Sequence, residues 1–146
     1  MAKTTKLVTD IKYEDKSIGQ PELVPIFEAI KTLISQYNGK GTLKCTGENK
    51  GGAYNVMSFK KVEITGRQLE GMYFASCLVQ KGFVGFYYFP IYACPDAKVP
   101  LIQPELKKLL KGKTCFHIKK NDPLIMAQIE QALKDGFAMY ERLGWV

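Results

Sequence analysis

The chain has 146 residues, and its 21 Lys and Arg against 14 Asp and Glu give a formal net charge of +7. Its hydrophobic (46%) and charged (24%) fractions are ordinary for a globular domain and exclude a disordered or collagen-like chain. No apolar run of about 18 residues is present, so we predict one domain without a membrane-spanning helix and no membrane partner.

The first 20 residues show weak hydrophobic periodicity, which predicts a partly ordered N-terminal arm (1–20) before a single domain (21–146). The arm lacks the apolar core of a secretory signal. Apolar residues at helical spacing then predict a first helix over 21–38, with Gln20 at its cap and Pro21 at its first position.

The middle of the chain predicts an antiparallel meander, because short apolar runs alternate with turn residues. Its strands are expected over 41–45, 53–59, 60–65, 69–80 and 83–93, with turns at 47–52, 66–67 and 81–82.

The last third predicts a short helix opened by Pro104 and closed by Gly112, then a strand over 114–118. A long helix follows Asp122 and Pro123, an N-cap and first-turn pair, and ends at Gly144. This order predicts an α+β fold, in which the N- and C-terminal helices pack on one face of an antiparallel sheet.

The strand at 82–92, GFVGFYYFPIY, has bulky residues on both of its alternating faces. A half-exposed antiparallel strand normally has one polar face. Two explanations stay open: chain segments cover both faces, or one face binds a ligand or a second subunit. The candidate residues for such a face are Tyr73, Phe86, Tyr88, Tyr92 and His117.

A basic segment follows, with six lysines and no acidic residue between them: Lys107, Lys108, Lys111, Lys113, Lys119 and Lys120. Such a patch attracts phosphates, nucleic acid or an acidic partner. The alternative is a solvated face that maintains solubility, since lysine lacks the bidentate geometry of arginine.

Residues 81–88, KGFVGFYY, resemble the aromatic octapeptide of RNA-recognition motifs. The additional Val84 places Phe83 and Phe86 on opposite faces of a regular strand, so the two rings cannot stack bases on one side. The order of elements also differs from that module. Nucleic acid is therefore not favoured as a partner.

Cys115 and His117 share one face of a predicted strand, but no catalytic or metal-binding motif accompanies them. We therefore predict no catalytic residue, no metal and no cofactor, and a protein that is not an enzyme. The cysteines (Cys45, Cys77, Cys94 and Cys115) form no C-x-x-C pair, which favours reduced thiols and a cytoplasmic location.

Several segments resemble the YdhG-like family of small bacterial domains of unknown function: 74–75 (FA), 79–87 (VQKGFVGFY), 90–92 (PIY), 110–120 (LKGKTCFHIKK) and 142–146 (RLGWV). The resemblance covers residues 21–146 and implies a frataxin-like sandwich. One member is regarded as an intracellular iron chaperone, so the resemblance also implies iron binding as an alternative.

Frataxin-type iron binding uses an acidic ridge on the first helix and first strand. Here the predicted helix offers only Glu22 and Glu28, with Lys31 nearby, and the strand region carries Lys40 and Lys44. Hard cations need converging oxygen ligands, so we expect the fold without the iron role.

The sequence thus favours a non-enzymatic domain that binds a ligand or a partner, including a second copy of itself as a homodimer, through its aromatic sheet face. Iron binding, and nucleic-acid or anion binding through the basic segment 107–120, are the alternatives.

Overall fold

The structure, a computed structural model, describes residues 14–46, 52–64, 66–93 and 102–146, together with the backbone at Thr4–Thr5. Most of the predicted N-terminal arm, and the predicted turn over 47–52 apart from Gly52, lie outside the described residues.

The helices are α1 (Val24–Ser35, preceded by a 3-10 turn at Pro21–Leu23), α2 (Pro90–Ala93), α3 (Pro104–Lys107) and α4 (Pro123–Leu143). The strands are β1 (Thr4–Thr5), β2 (Leu43–Thr46), β3 (Ala53–Ser58), β4 (Val62–Ile64), β5 (Arg67–Leu69), β6 (Met72–Gln80), β7 (Phe83–Tyr88), β8 (Leu110–Lys111) and β9 (Cys115–Ile118).

Six strands form one antiparallel sheet in the order β2-β3-β6-β7-β9-β8, and β1, β5 and β4 form a smaller sheet. Helices α1 and α4 pack on one face of the larger sheet, which confirms the predicted α+β class. The core lies between these helices and that face, which we call the helix face.

Helix α4 is anchored over the centre of the sheet by two tyrosines. The Tyr88 hydroxyl on β7 donates a hydrogen bond to the carbonyl of Ala132, and the Tyr140 hydroxyl donates to the carbonyl of Tyr73 at 2.7 Å. Since buried hydroxyls need partners, these bonds fix the position of the helix on the sheet.

The predicted ends of α4 are confirmed. The Asp122 carboxylate accepts a hydrogen bond from the backbone N–H of Leu124 at 2.9 Å, and Gly144 ends the helix with a φ of 75°. Gln20 lies at the predicted N-cap position, where its carbonyl accepts the N–H of Leu23 at 3.0 Å, but its side chain makes no capping hydrogen bond. Its amide bonds across to the β6–β7 turn instead, accepting from the N–H of Gly82 at 2.8 Å and donating to the carbonyl of Gln80 at 3.0 Å.

Several predicted elements are shorter than expected: the first helix ends at Ser35 rather than at residue 38, and the strand predicted over 60–65 spans Val62–Ile64. The strand over 69–80 is interrupted after Leu69, and the strand over 83–93 ends at Tyr88, because Pro90 starts helix α2, a position at which its missing N–H is not needed. The short helix ends at Lys107, and the residues that follow form strand β8, whose Leu110 pairs with Phe116.

A β-bulge in β6 interrupts the regular alternation of its side chains. Val56 pairs with Ala75 while Met57 pairs with Tyr73, so Phe74 is the additional residue. Phe74 consequently packs on the helix face against Tyr140, and the side chain of Tyr73 lies on the opposite face.

Among the described residues, no helix is long and apolar enough to cross a bilayer. Cys45, Cys77 and Cys115 are free thiols, and Cys94 lies outside the described residues.

Candidate functional site

Two of the five residues predicted for an aromatic ligand face belong to the core instead. Phe86 and Tyr88 are 0% exposed, because their pairing with Phe116 and Ala75 places them on the helix face beneath α4. A ligand cannot reach these rings in the folded protein, so the prediction is wrong for both residues.

Tyr73 and Tyr92 are brought together through a third ring. Phe89 lies 5.5 Å from Tyr73 and 5.3 Å from Tyr92 between ring centroids, and Tyr92 is 50% exposed. Lys113 places its Nζ 5.5 Å from the Tyr92 ring. These residues form a small aromatic cluster at the end of β7, where the chain turns into α2.

His117 makes different ring contacts from that cluster. It pairs with Gly85 of β7, and its imidazole stacks on Phe83 with 3.7 Å between centroids and 13° between planes. Its backbone N–H donates to the carbonyl of Leu109 at 3.0 Å. His117 is therefore held in place between β7 and the segment that carries the basic residues.

A cavity of about 430 Å³ opens beside His117, where β8, the end of β9 and the start of α4 meet. We call it the basic pocket. Its lining consists of Lys108, Lys111, Lys119, Lys120, His117, Asp122 and the aliphatic residues Leu109, Ile118 and Ile125. Four of the six predicted lysines thus face one cavity, whereas Lys107 and Lys113 do not line it.

The lysines converge because of the local fold around α3. The buried Gln128 of α4 accepts a hydrogen bond from the N–H of Leu106 at 2.9 Å and donates to the Glu105 carboxylate at 2.8 Å. This clamp holds α3 against α4, and the β8–β9 hairpin brings Lys111 opposite Cys115. Residues eleven positions apart, such as Lys108 and Lys119, therefore line the same cavity.

The electrostatic field of the basic pocket is positive. Four lysines and one aspartate line it, a net charge of +3 while His117 is neutral. The Asp122 carboxylate is already engaged by the N–H of Leu124. Partial burial, and then the charges of Lys111 and Lys119, lower the pKa of His117, so the imidazole favours its neutral form.

Cys115 and His117 share the face opposite the helices, as predicted, because they pair with Tyr87 and Gly85. Burial raises the pKa of the Cys115 thiol, and a hydrogen bond with Tyr87 acts in the opposite direction but is smaller. A catalytic thiolate requires a lowered pKa. The environment of Cys115 is therefore opposite to that of a nucleophile.

The described residues do not fit an iron site. Among them, no three His, Cys, Asp or Glu side chains come together in a group suited to a metal ion. Glu22 and Glu28 are exposed, and the Nζ of Lys31 on the same helix lies 5.8 Å from the Tyr54 ring. Iron would need several converging carboxylates, which this part of the molecule does not offer.

The aliphatic lining of the basic pocket was missed from the sequence. Leu109 fitted the apolar stripe of a predicted helix, and Ile118 and Ile125 fitted a strand and a core-facing helix. The sequence carries no signal that these three residues meet beside the lysines, because the β8–β9 hairpin and the α3–α4 packing bring them together.

Comparison with known proteins gave no match to any family model, to any curated protein or to any solved structure. The geometry of this chain is therefore the basis for inferring its function, and the YdhG-like resemblance stays a prediction.

Proposed function

We propose that this protein is a non-enzymatic anion-binding domain and that its site is the basic pocket. The observation that carries the proposal is the cavity of about 430 Å³ that four lysines line together with His117. A bound anion would neutralise part of their charge and would be held by charge-assisted hydrogen bonds.

The arrangement differs from an ordinary solvated lysine face. Lys108 and Lys111 come from one side of the β8–β9 hairpin and Lys119 and Lys120 from the other, yet all four surround one concave space. Like charges that share a cavity repel one another, and concave surfaces lined by one sign of charge concentrate counter-ions. Both effects favour occupation by an anion.

The chemistry of lysine sets the kind of recognition. An ammonium group is a compact charge on a flexible stem, whereas arginine provides a rigid bidentate fork. We therefore expect the basic pocket to select for negative charge rather than for one oxyanion geometry. Sulfate, phosphate, sulfonate and carboxylate groups all meet this requirement.

The single histidine of the chain provides the readout. We expect sulfate, which stays a dianion between pH 5.5 and 8, to raise the pKa of His117, because the anion offsets the charges of Lys111 and Lys119 that lower it. Nuclear magnetic resonance titration of the imidazole at increasing sulfate concentration measures the effect, with chloride at equal ionic strength as the reference.

Matched lysine variants localise the anion. Lys119→Gln should raise the pKa of His117 without sulfate and weaken sulfate binding. Lys107→Gln and Lys113→Gln remove the same charge from the same segment outside the basic pocket, and each should leave sulfate binding within about twofold of the unmodified protein. Equal weakening by all three variants, or no response of His117 to sulfate, would refute the proposal.

The remaining predictions rest on the sequence and are still open to test. A ligand or homodimer role for the aromatic face now depends on Tyr73, Tyr92 and His117, and native mass spectrometry tests the homodimer directly. Nucleic acid is less favoured than a small anion, because Phe83 and the buried Phe86 lie on opposite faces of β7 and do not form a shared platform for bases. The cytoplasmic location and the frataxin-like kinship also stay predictions.

A further inference from the structure

One wall of the basic pocket is aliphatic. Ile118 and Ile125 are 1% and 8% exposed and belong to the core, so this wall is held firmly. The third member, Leu109, is half-buried, and its carbonyl accepts the N–H of His117 at 3.0 Å. An apolar wall contributes nothing to the binding of a fully hydrated inorganic ion.

The size of the basic pocket also exceeds the need of an inorganic ion. A tetrahedral oxyanion has five heavy atoms and occupies on the order of two to three water volumes, each about 30 Å³. The cavity of about 430 Å³ falls within the range of roughly 300–1,000 Å³ that is typical of pockets for small organic molecules. An inorganic ion on the lysines would leave most of the space, and the accessible side of the half-buried Leu109, to water.

We infer that the basic pocket takes an amphiphilic organic anion, with one oxyanion group on the lysines and an apolar body of several carbons against the aliphatic wall, chiefly against its half-buried Leu109. This inference rests on the proposed function and adds the class of ligand. The shared chemistry is a sulfonate, phosphate or carboxylate headgroup joined to a short hydrocarbon.

Two probes of equal charge separate the headgroup from the apolar body. Methanesulfonate and hexane-1-sulfonate are both monoanions across pH 6–8 and differ by five methylene groups. Each fully buried methylene strengthens binding by up to about fourfold. We expect hexane-1-sulfonate to bind at least about tenfold more tightly than methanesulfonate, as measured from the His117 resonances.

The variant Leu109→Ala tests the aliphatic wall without removing a charge. It should reduce the preference for hexane-1-sulfonate over methanesulfonate at least about threefold, and this ratio of two affinities measured on one variant cancels any change in headgroup binding that both probes share. Retained methanesulfonate binding also shows that the variant is folded. Lys113→Gln is the control, because it changes the basic segment outside the pocket and should preserve the preference.

The outcomes distinguish the two proposals. If sulfate shifts the His117 resonances but the two sulfonates bind equally, the organic-anion inference is refuted and the anion site stands. If the preference exists but Leu109→Ala leaves it intact, the hydrocarbon lies elsewhere and the inference is likewise refuted. If neither sulfate nor a sulfonate affects His117, both proposals fail.

Discussion

Helix α4 packs against β7 at Gly136. Substitution of this glycine tests which face of the aromatic strand belongs to the core. A Cβ atom added to Gly136 would overlap the Tyr88 hydroxyl oxygen and would lie 3.0 Å from Cγ of Pro90. Real Cβ atoms are not found below 3.0 Å, so Gly136→Ala requires the Tyr88 side chain or the helix to move. The hydrogen bond from Tyr88 to the carbonyl of Ala132 would then be strained or lost.

The expected change in the free energy of unfolding combines one stabilising and two destabilising contributions. Alanine in a helix interior is favoured over glycine by about 1 kcal/mol. Overpacking a well-packed core costs about 1–3 kcal/mol, and loss of the buried hydroxyl's partner costs about 1–3 kcal/mol more. We therefore expect Gly136→Ala to lower the free energy of unfolding by about 1–5 kcal/mol, as measured by urea denaturation.

A second variant attributes that loss to the hydroxyl. Tyr88→Phe removes the nearest atom, so the double variant should be less destabilised than the sum of the single variants by about 1 kcal/mol or more. Ala138→Gly, at an exposed position of α4, measures the helix-propensity contribution in the same helix. If Gly136→Ala instead stabilises the protein by the full propensity difference, Tyr88 does not lie beneath α4 and the assignment of the helix face is wrong.

Three further predictions test other parts of the structure. The alkylation rate of Cys115 by iodoacetamide should reach half its maximum above pH 9.0, the ordinary pKa for the thiol, because burial favours the neutral form; a midpoint below pH 8 contradicts this. Asp122→Ala should lower the free energy of unfolding by about 1 kcal/mol, because the helix loses its N-cap. Asp122→Asn keeps the cap but removes one carboxylate from the basic pocket. We therefore expect it to bind sulfate more tightly in the titration of the His117 resonances. Gln20→Ala should lower the free energy of unfolding by about 0.5–1 kcal/mol in urea denaturation, because the exposed N–H of Gly82 exchanges its Gln20 partner for water; an unchanged midpoint would show that this bond contributes nothing.

Elements with strong local signals were predictable from the sequence. Asp122 and Pro123 mark the start of α4, and the hydrophobic spacing marks its buried side, because N-cap chemistry and helical periodicity act within a few residues. The end of β7 was missed, since Pro90 is compatible both with an edge strand and with the first turn of a helix. The pairing of neighbouring strands decides between these two, and a local pattern does not report it.

The bulge at Phe74 shows a second limit of the sequence pattern. Strand alternation assigns Tyr73 and Ala75 to one face, yet one additional residue in β6 separates them. The rings of Tyr37 and Tyr140 on the helix side favour the large Phe74 side chain there. A requirement of core packing therefore overrides strict alternation at this point, and only the tertiary structure reveals it.

The basic pocket was predictable from the sequence only in part. The lysines were visible in the sequence as a run without acidic residues, but that pattern fits a solvated face equally well. The clamp of Gln128 on α3 holds Lys108 near the end of β9, where Lys119 and Lys120 follow, and this convergence supports the proposed anion site. Since the helix face is filled by core residues such as Phe86 and Tyr88, a small ligand cannot enter there without displacing α4. The proposed anion site lies instead at one end of the sheet, where charge, volume and an apolar wall coincide.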